Sequence, residues 1–308
     1  MTFTVVLEPK IGPHAPDLYR ADWYAGGVDG WEAVGEEQVD AYRRDGFLVV
    51  RGGFTVEEME TANRELREMQ LSEDPQCDSV YYEGTIRDEL NRDSQEDLPE
   101  VPRETGYALG DITDQLPNLP PETRARYVRK LMGFVQHHPP LDAIAHKKEL
   151  IDLTTRLLGE PVQLFQDMAM IKPPGGREKP WHQDHAYFNL PLDAPVLGVW
   201  ISLGSSTVEN GCMHVLAGGH LRGPRLHFMR RDWQLCDSDL GEEVQTAVPM
   251  EAGDILFFDS KLPHGTPTNH TNSQRWAIQF HYATASAIKI SETERLAVFG
   301  AEGKGVSC

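Results

Sequence analysis

After Gly159 the chain breaks into short runs rich in β-branched and aromatic residues: VQLFQDMAMI, PVLGVWISL, CMHVLAG, DILFFD and RWAIQFHYA. Pro, Gly and Asn punctuate the intervals between them. Several such strands with turn signals between them predict a sandwich or barrel rather than a parallel α/β sheet. No internal repeat is visible.

Upstream the spacing is helical. In EEQVDAYRRDGF, Val39, Tyr42 and Phe47 recur at near-helical intervals with Gly46 as a stop, and a short apolar strand, LVV, follows. Thr55 and Glu58 make a capping-box pattern ahead of a helix on which Met59, Ala62, Leu66 and Met69 share one face. From Pro140 the pattern resumes through LDAIAHKKELIDLTTRLLG as one helix ending at Gly159. Between these helices, acids, Gly, Pro117, Pro120 and Pro121 interrupt every apolar run. Residues 70–125 therefore read as a long loop with one short hairpin at VYYEGTI, serving either as a lid or as surface elaboration. The expected organisation is a single domain over 1–308, with a helical region at 36–159 and a β core at 160–290.

Charge narrows the partners. Forty-eight acidic and 29 basic side chains give a net charge of −19, a surface that repels nucleic acid and anionic membranes. No apolar run approaches the roughly 20 residues needed to cross a bilayer. Cys77, Cys212, Cys236 and Cys308 show no CxxC spacing and suit a reducing compartment. A soluble, cytoplasmic protein is expected, acting on a small molecule.

In Pro180-Trp181-His182-Gln183-Asp184-His185 an imidazole and a carboxylate stand two apart, so on an extended backbone they share a face. That pair alone is a weak metal signal. Among the 12 histidines, His264 is the best third ligand, because it follows the apolar run Ile255 to Phe258 and sits in Leu-Pro-His-Gly at a strand end. His270 reads as a solvated loop residue, His214 and His281 as core or pocket residues, and His220 and His227 as surface residues flanking a loop. Two imidazoles and one carboxylate leave positions open on a metal, the arrangement of non-haem iron(II) oxygenases. Such a metal accepts a 2-oxo acid together with dioxygen. If the acid is 2-oxoglutarate, its distal carboxylate needs a fixed cation, and Arg275 is placed for that. It lies eleven residues after His264, a spacing that allows a hairpin to return it to the metal. It shares a strand face with Ala277, Gln279 and His281. In VLGVWISL, Trp200 and Ser202 share a face, with pocket lining or core packing open for Trp200.

Together the ordered motifs IKPPGG, WHQDHAYF, VWISL, NGCMHVLAGGH, AGDILFFDSKLPHG and QRWAIQFHYA resemble the phytanoyl-CoA dioxygenase family of iron(II)/2-oxoglutarate oxygenases. The resemblance is weak over 36–66 and strong over 141–288. It implies a double-stranded β-helix (jelly roll, cupin-like) core with flanking helices. It further implies His182, Asp184 and His264 as iron ligands, Arg275 as the 2-oxoglutarate anchor, and Lys172 and Trp200 close to that cosubstrate. The implied reaction is hydroxylation of a small organic molecule, with dioxygen consumed and succinate and carbon dioxide released. Related halogenases carry a small residue where this chain has Asp184, which favours hydroxylation. Arg222, Arg225, Arg230 and Arg231 could receive an anionic substrate, or pair with nearby acids such as Asp232. A cupin-like binding protein and a metal-dependent hydrolase or isomerase on the same barrel are the competing readings.

Overall fold

Period-two alternation gives each downstream segment one face for each side of a sheet, and the chain uses both. In the computed structural model, residues 3–8, 10–92, 108–109, 116–240 and 243–300 are described. The principal strands are β1 (Thr4–Leu7), β2 (Phe47–Arg51), β3 (Ser79–Tyr82), β4 (Val128–Met132), β5 (Val162–Lys172) and β6 (Lys179–His182). They continue as β7 (Val196–Ser202), β8 (Met213–Val215), β9 (Thr246–Val248), β10 (Ile255–Asp259), β11 (His264–Thr266) and β12 (Arg275–Thr284).

A large sheet runs β2–β10–β7–β12–β5–β4–β3–β1 and a small one runs β9–β8–β11–β6, with two-residue strands at their edges. Among the principal strands the pairing is antiparallel except where β1 lies beside β3. Between the sheets, Val49, Trp200, Leu256, Phe258 and Ala277 of the large sheet pack on Met213, Val215 and Val248 of the small one. This is the jelly roll expected from the sequence. At Gly198 a Cβ would come within 2.3 Å of the Phe258 ring, so glycine lets that ring lie flat against β7. Phe258 in turn meets the His264 ring edge-on, with centroids 4.8 Å apart.

On its outer face the large sheet carries Val199, Ile201, Phe257, Ile278, Phe280 and Tyr282, buried with side chains of the helices. Those helices are α1 (Glu36–Asp45), α2 (Val56–Leu71), α3 (Ile86–Arg92), α5 (Pro139–Ala145) and α6 (Lys148–Leu158), while α4 (Pro121–Ala125) packs on α2 and α7 (Glu292–Phe299) packs on residues 184–187. The capping box forms as expected: Glu58 N donates to Thr55 Oγ1 at 3.2 Å and Thr55 N donates to Glu58 Oε2 at 2.7 Å. All four expected face residues of α2 are buried.

Four expectations change. The helix from Pro140 to Gly159 is two helices, because His146 leaves the helical region and Lys147 is extended at ψ 131°. The break lets Lys147 Nζ reach Glu58 Oε1 at 2.7 Å. The apolar stripe continues across it, so periodicity alone does not reveal it. VYYEGTI makes no hairpin: Ser79–Tyr82 is a strand held between β1 and β4, after which the chain enters α3. Its partners come from distant sequence, beyond any local pattern. Helices and sheet are also not segregated along the chain, since β1 to β4 all join the large sheet. Residues 93–107 and 110–115 of the 70–125 segment, read as a loop or lid, lie outside the described residues, while its described part holds the end of α2, β3, α3 and α4 instead of one long loop. Among the described residues no helix is long and apolar enough to cross a membrane.

Candidate metal centre

Antiparallel pairing of β6 with β11 sets His182 directly across from His264. Opposed residues on one sheet face bring their side chains together, and the two imidazole centroids are 4.3 Å apart. Asp184 arrives differently from the expectation. The strand ends at His182, and Asp184 opens a single 3₁₀ turn, Asp184–Tyr187. The turn still delivers the carboxylate: Asp184 Oδ1 is 3.1 Å from His182 Nε2 and 3.5 Å from His264 Nε2. One ligand atom from each of the three residues lies within 4.8 Å of the others, and all three side chains are buried.

Both imidazoles are held in the tautomer that a metal requires. His182 Nδ1 donates to the Pro180 carbonyl at 2.7 Å and His264 Nδ1 to the Leu262 carbonyl at 2.9 Å, leaving each Nε2 lone pair free. Burial, with His264 alongside, holds the His182 imidazole down to about 4, so it stays unprotonated at neutral pH. Burial works against the Asp184 carboxylate, yet the His264 and His281 rings beside it hold it well below the usual range. Two imidazole nitrogens and one carboxylate oxygen suit a divalent iron centre with exchangeable positions.

The other oxygen, Asp184 Oδ2, accepts from Gln279 Nε2 at 3.0 Å and from His281 Nε2 at 2.8 Å. Both donors come from β12, on the face that also carries Arg275. His281 Nδ1 is buried without a partner.

Arg275 does not return by a hairpin. β11 belongs to the small sheet and β12 to the large one, where β12 lies between β5 and β7, so the connection crosses the sandwich. Arg275 is 3% exposed and its guanidinium carbon stands 4.8 Å from the centroid of the Trp200 ring. Nε and Nη1 are buried with no hydrogen-bond partner. Burial draws this guanidinium down to about 10, which still leaves it charged at neutral pH. A buried cation with two unused donors is costly unless an anion meets it. Trp200 lines the central cavity. Neither Arg275 nor its register partner Lys172 is among the lining residues. The Lys172 ammonium bonds Thr266 Oγ1 at 2.9 Å, the Thr266 carbonyl at 3.1 Å and the Pro267 carbonyl. Those three acceptors use all its protons, so Lys172 braces the strand that carries His264.

The triad opens on a cavity of about 540 Å³. Val6, Met132, Met168, Met170, Phe188 and Trp200 supply much of its apolar wall. Lys130 is the cation that sequence reading missed: it lines the cavity, with its ammonium 3.8 Å over the Tyr81 ring. Burial holds it down to about 8, against the pull of Glu8. Among the described residues no carboxylate pairs with it. The acids of the wall are engaged. Glu8 pairs with Arg129 at 2.9 Å and Arg177 at 2.8 Å, and Asp232 with Lys179 at 2.9 Å.

A family model for phytanoyl-CoA dioxygenase (PhyH) matches residues 42–277. The chain belongs to that family. The phytanoyl-CoA dioxygenase domain-containing protein 1 of Mus musculus is 26% identical over 273 residues, covering 81% of this chain and 90% of that protein. A methylphosphonate hydroxylase of Gimesia maris is 29% identical over 147 residues, 47% of this chain and 54% of the other. Among solved structures, EvdO2 from Micromonospora carbonacea var. aurantiaca, complexed with 2-oxoglutarate, aligns with a TM-score of 0.60 at 21% identity, covering 87% and 98% of the two chains. At that identity the likeness speaks for the fold. Membership of the phytanoyl-CoA dioxygenase family makes this chain an iron(II)- and 2-oxoglutarate-dependent dioxygenase.

Seen in this family member, the remaining histidines and arginines sort by burial. His270 is exposed, as expected. His227 is not a surface residue: it is 1% exposed and its Nε2 accepts from Gln183 N at 3.0 Å. Gln183 itself bonds the Gly223 and Lys261 carbonyls and the Arg225 amide, fixing the turn between the ligands. The arginine-rich loop is largely neutralised. Arg222 and Arg225 pair with Glu243, and Arg231 pairs with Glu178 and Asp237.

Proposed function

We propose that His182, Asp184 and His264 hold iron(II), that Arg275 anchors the distal carboxylate of 2-oxoglutarate, and that the enzyme hydroxylates a small organic molecule held in the central cavity. The observation that carries this reading is the buried Arg275 guanidinium with two unbonded donors, stacked on Trp200, which lines the cavity that holds the triad. A hydrolase or a simple metal-binding barrel has no use for it. Bound iron(II) would supply dioxygen activation, coupled to decarboxylation of the oxo acid to succinate and carbon dioxide.

The chain's own residues do the positioning. Arg275, backed by Trp200, fixes one end of the cosubstrate, and Lys130 offers a second cation for a dianion. Methionine and aromatic side chains exclude water and receive the apolar body of the substrate. With Glu8 and Asp232 committed to ion pairs, neither is free to act as a general base, which supports oxidation over proton-transfer chemistry. The pairing of Arg222, Arg225 and Arg231 with acids removes the main support for a substrate bound through its negative charge. We take the substrate to be a small molecule with an apolar body.

The test is succinate formation from 2-oxoglutarate by iron(II)-loaded protein, alone and with a panel of amino acids, phosphonates, acyl-CoAs and secondary metabolites. A rise with one class supports the reading and names that class. Absence of both succinate and 2-oxoglutarate binding would return the barrel to the hydrolase or binding-protein reading.

A further inference from the structure

His182 and His264 are locked in register by strand pairing, whereas Asp184 rides on a turn. Asp184–Tyr187 is a single 3₁₀ turn, and a turn of that length closes few hydrogen bonds of its own. Groups outside it therefore fix where the carboxylate stands. His185 holds one side of the turn. Its N donates to the Ser260 carbonyl at 2.9 Å, and its Nδ1 lies 2.9 Å from Ser260 Oγ.

The other side is held by α7, which begins with a complete capping box between Ser291 and Glu294. From this helix Arg295 Nη1 donates to the Ala186 carbonyl, and Arg295 Nε donates to Asn189 Oδ1 at 2.9 Å. The Ala186 carbonyl lies at the end of the turn, where carbonyls lack a partner within it. The Arg295 side chain is 11% exposed, and its Nη2 pairs with Glu292, whose side chain is 68% exposed. The same helix reaches the chain before Asp184. The Phe299 carbonyl accepts from His227 N at 2.7 Å, and His227 Nε2 accepts from Gln183 N at 3.0 Å. Phe299 also packs with Ala186 and Trp233. One helix thus grips the chain both before and after Asp184.

We propose that Arg295 is a positioning residue for the metal centre: by bonding the Ala186 carbonyl, it sets where the Asp184 turn places the ligating carboxylate. This rests on the assignment of His182, Asp184 and His264 as metal ligands above. A guanidinium–carbonyl bond is charge-assisted and directional. Its loss frees the end of the turn, while the Phe299 packing keeps α7 in place. The two imidazoles, fixed by their strands, then face a carboxylate with more freedom, and the metal loses affinity and a defined geometry. Arg295 is singled out because, among the described residues of α7, its side chain is the one that hydrogen-bonds the turn.

The experiment measures iron(II) affinity of full-length Arg295→Leu, Arg295→Lys and Glu292→Gln by competition against a chelator, with thermal melts of the metal-free proteins alongside. In a second arm cobalt(II) replaces iron(II), and its visible absorption bands report ligand geometry. Arg295→Leu should weaken iron(II) binding by about three- to tenfold, at or below the low end for groups that touch a ligand directly, and should shift the cobalt bands. Arg295→Lys keeps the charge but lacks the fork that spans Ala186 and Asn189. It should fall between parent and Arg295→Leu, and it carries the test if Arg295→Leu does not fold. Glu292→Gln cuts only the exposed pair within α7 and should match the parent in both arms. Parent-like affinity and bands in the Arg295 variants, weakening that tracks a lower melting temperature with the bands unmoved, or an equal effect from Glu292→Gln overturns the proposal and leaves the metal reading standing. Failure of the parent to bind either metal overturns the metal reading, and this proposal with it.

Discussion

Asp184 turns one oxygen toward the two imidazoles and gives the other to His281, whose Nε2 lies 2.8 Å away. Gln279 completes the hold at 3.0 Å. A carboxylate restrained in this way is confined to one ligating oxygen, and partners of this kind support metal affinity by about 10- to 100-fold. His281→Phe and Gln279→Leu should each weaken iron(II) binding within that range while the protein stays folded. Competition against a chelator, beside a circular dichroism melt, measures both. Unchanged affinity in both variants would reduce the pair to packing residues.

Asp184→Ala should go further. It removes the only carboxylate of the triad and leaves the Gln279 and His281 donors facing a void, so turnover should fall by more than the roughly 100-fold upper bound for the supporting pair. Succinate release per iron is the readout, and turnover near the parent level would take Asp184 out of the ligand set.

Arg275→Leu should separate function from stability. Loss of a charge-assisted pair worth about 1.5–3 kcal/mol predicts a 2-oxoglutarate Kd raised roughly ten- to a hundredfold. The same change removes a buried, unpartnered cation, so the cosubstrate-free variant should melt no lower than its parent. A lower melting temperature with unaltered 2-oxoglutarate binding would make Arg275 a structural residue.

The core was legible in the sequence because its signals are local. Strand alternation in RWAIQFHYA gave the inward face of β12, and the Thr55–Glu58 cap gave the start of α2. His-x-Asp named two residues that the fold does bring together, though a turn and not a strand carries Asp184. What stayed hidden depends on distant partners. Lys130 enters the cavity only because β4 pairs with β5 across about 40 residues. The spending of the Lys172 protons depends on where Thr266 and Pro267 fall in space. Burial of His227 likewise follows from the Gln183 turn, which no spacing within its own loop announces.

His214 and His227 give the protein an acid limit. Burial holds their imidazoles down to about 4 and about 3, and His227 Nε2 accepts a hydrogen bond that only the neutral ring can accept. In the unfolded chain both titrate near 6.5, so below that pH the unfolded state binds protons that the folded state refuses. Their contribution is intact above about pH 6.5 and is lost as pH falls toward the folded values, by about 1.4 kcal/mol per pH unit for each ring. Thermal melts of metal-free protein between about pH 7 and about pH 5 should show a steep decline. A flat profile would mean that both rings accept protons in the native state.

The two imidazoles stand on the small sheet, while Arg275 and the residues that restrain Asp184 stand on the large one. On the proposed assignment, a metal with its oxo acid would fasten one wall of the sandwich to the other, and parting the walls would release both. Ligands that bind only the closed sandwich protect it by mass action. Iron and 2-oxoglutarate levels would then govern how long each copy resists proteolysis as well as how fast it turns over, and the nutritional state of the cell would be written into the lifetime of the enzyme.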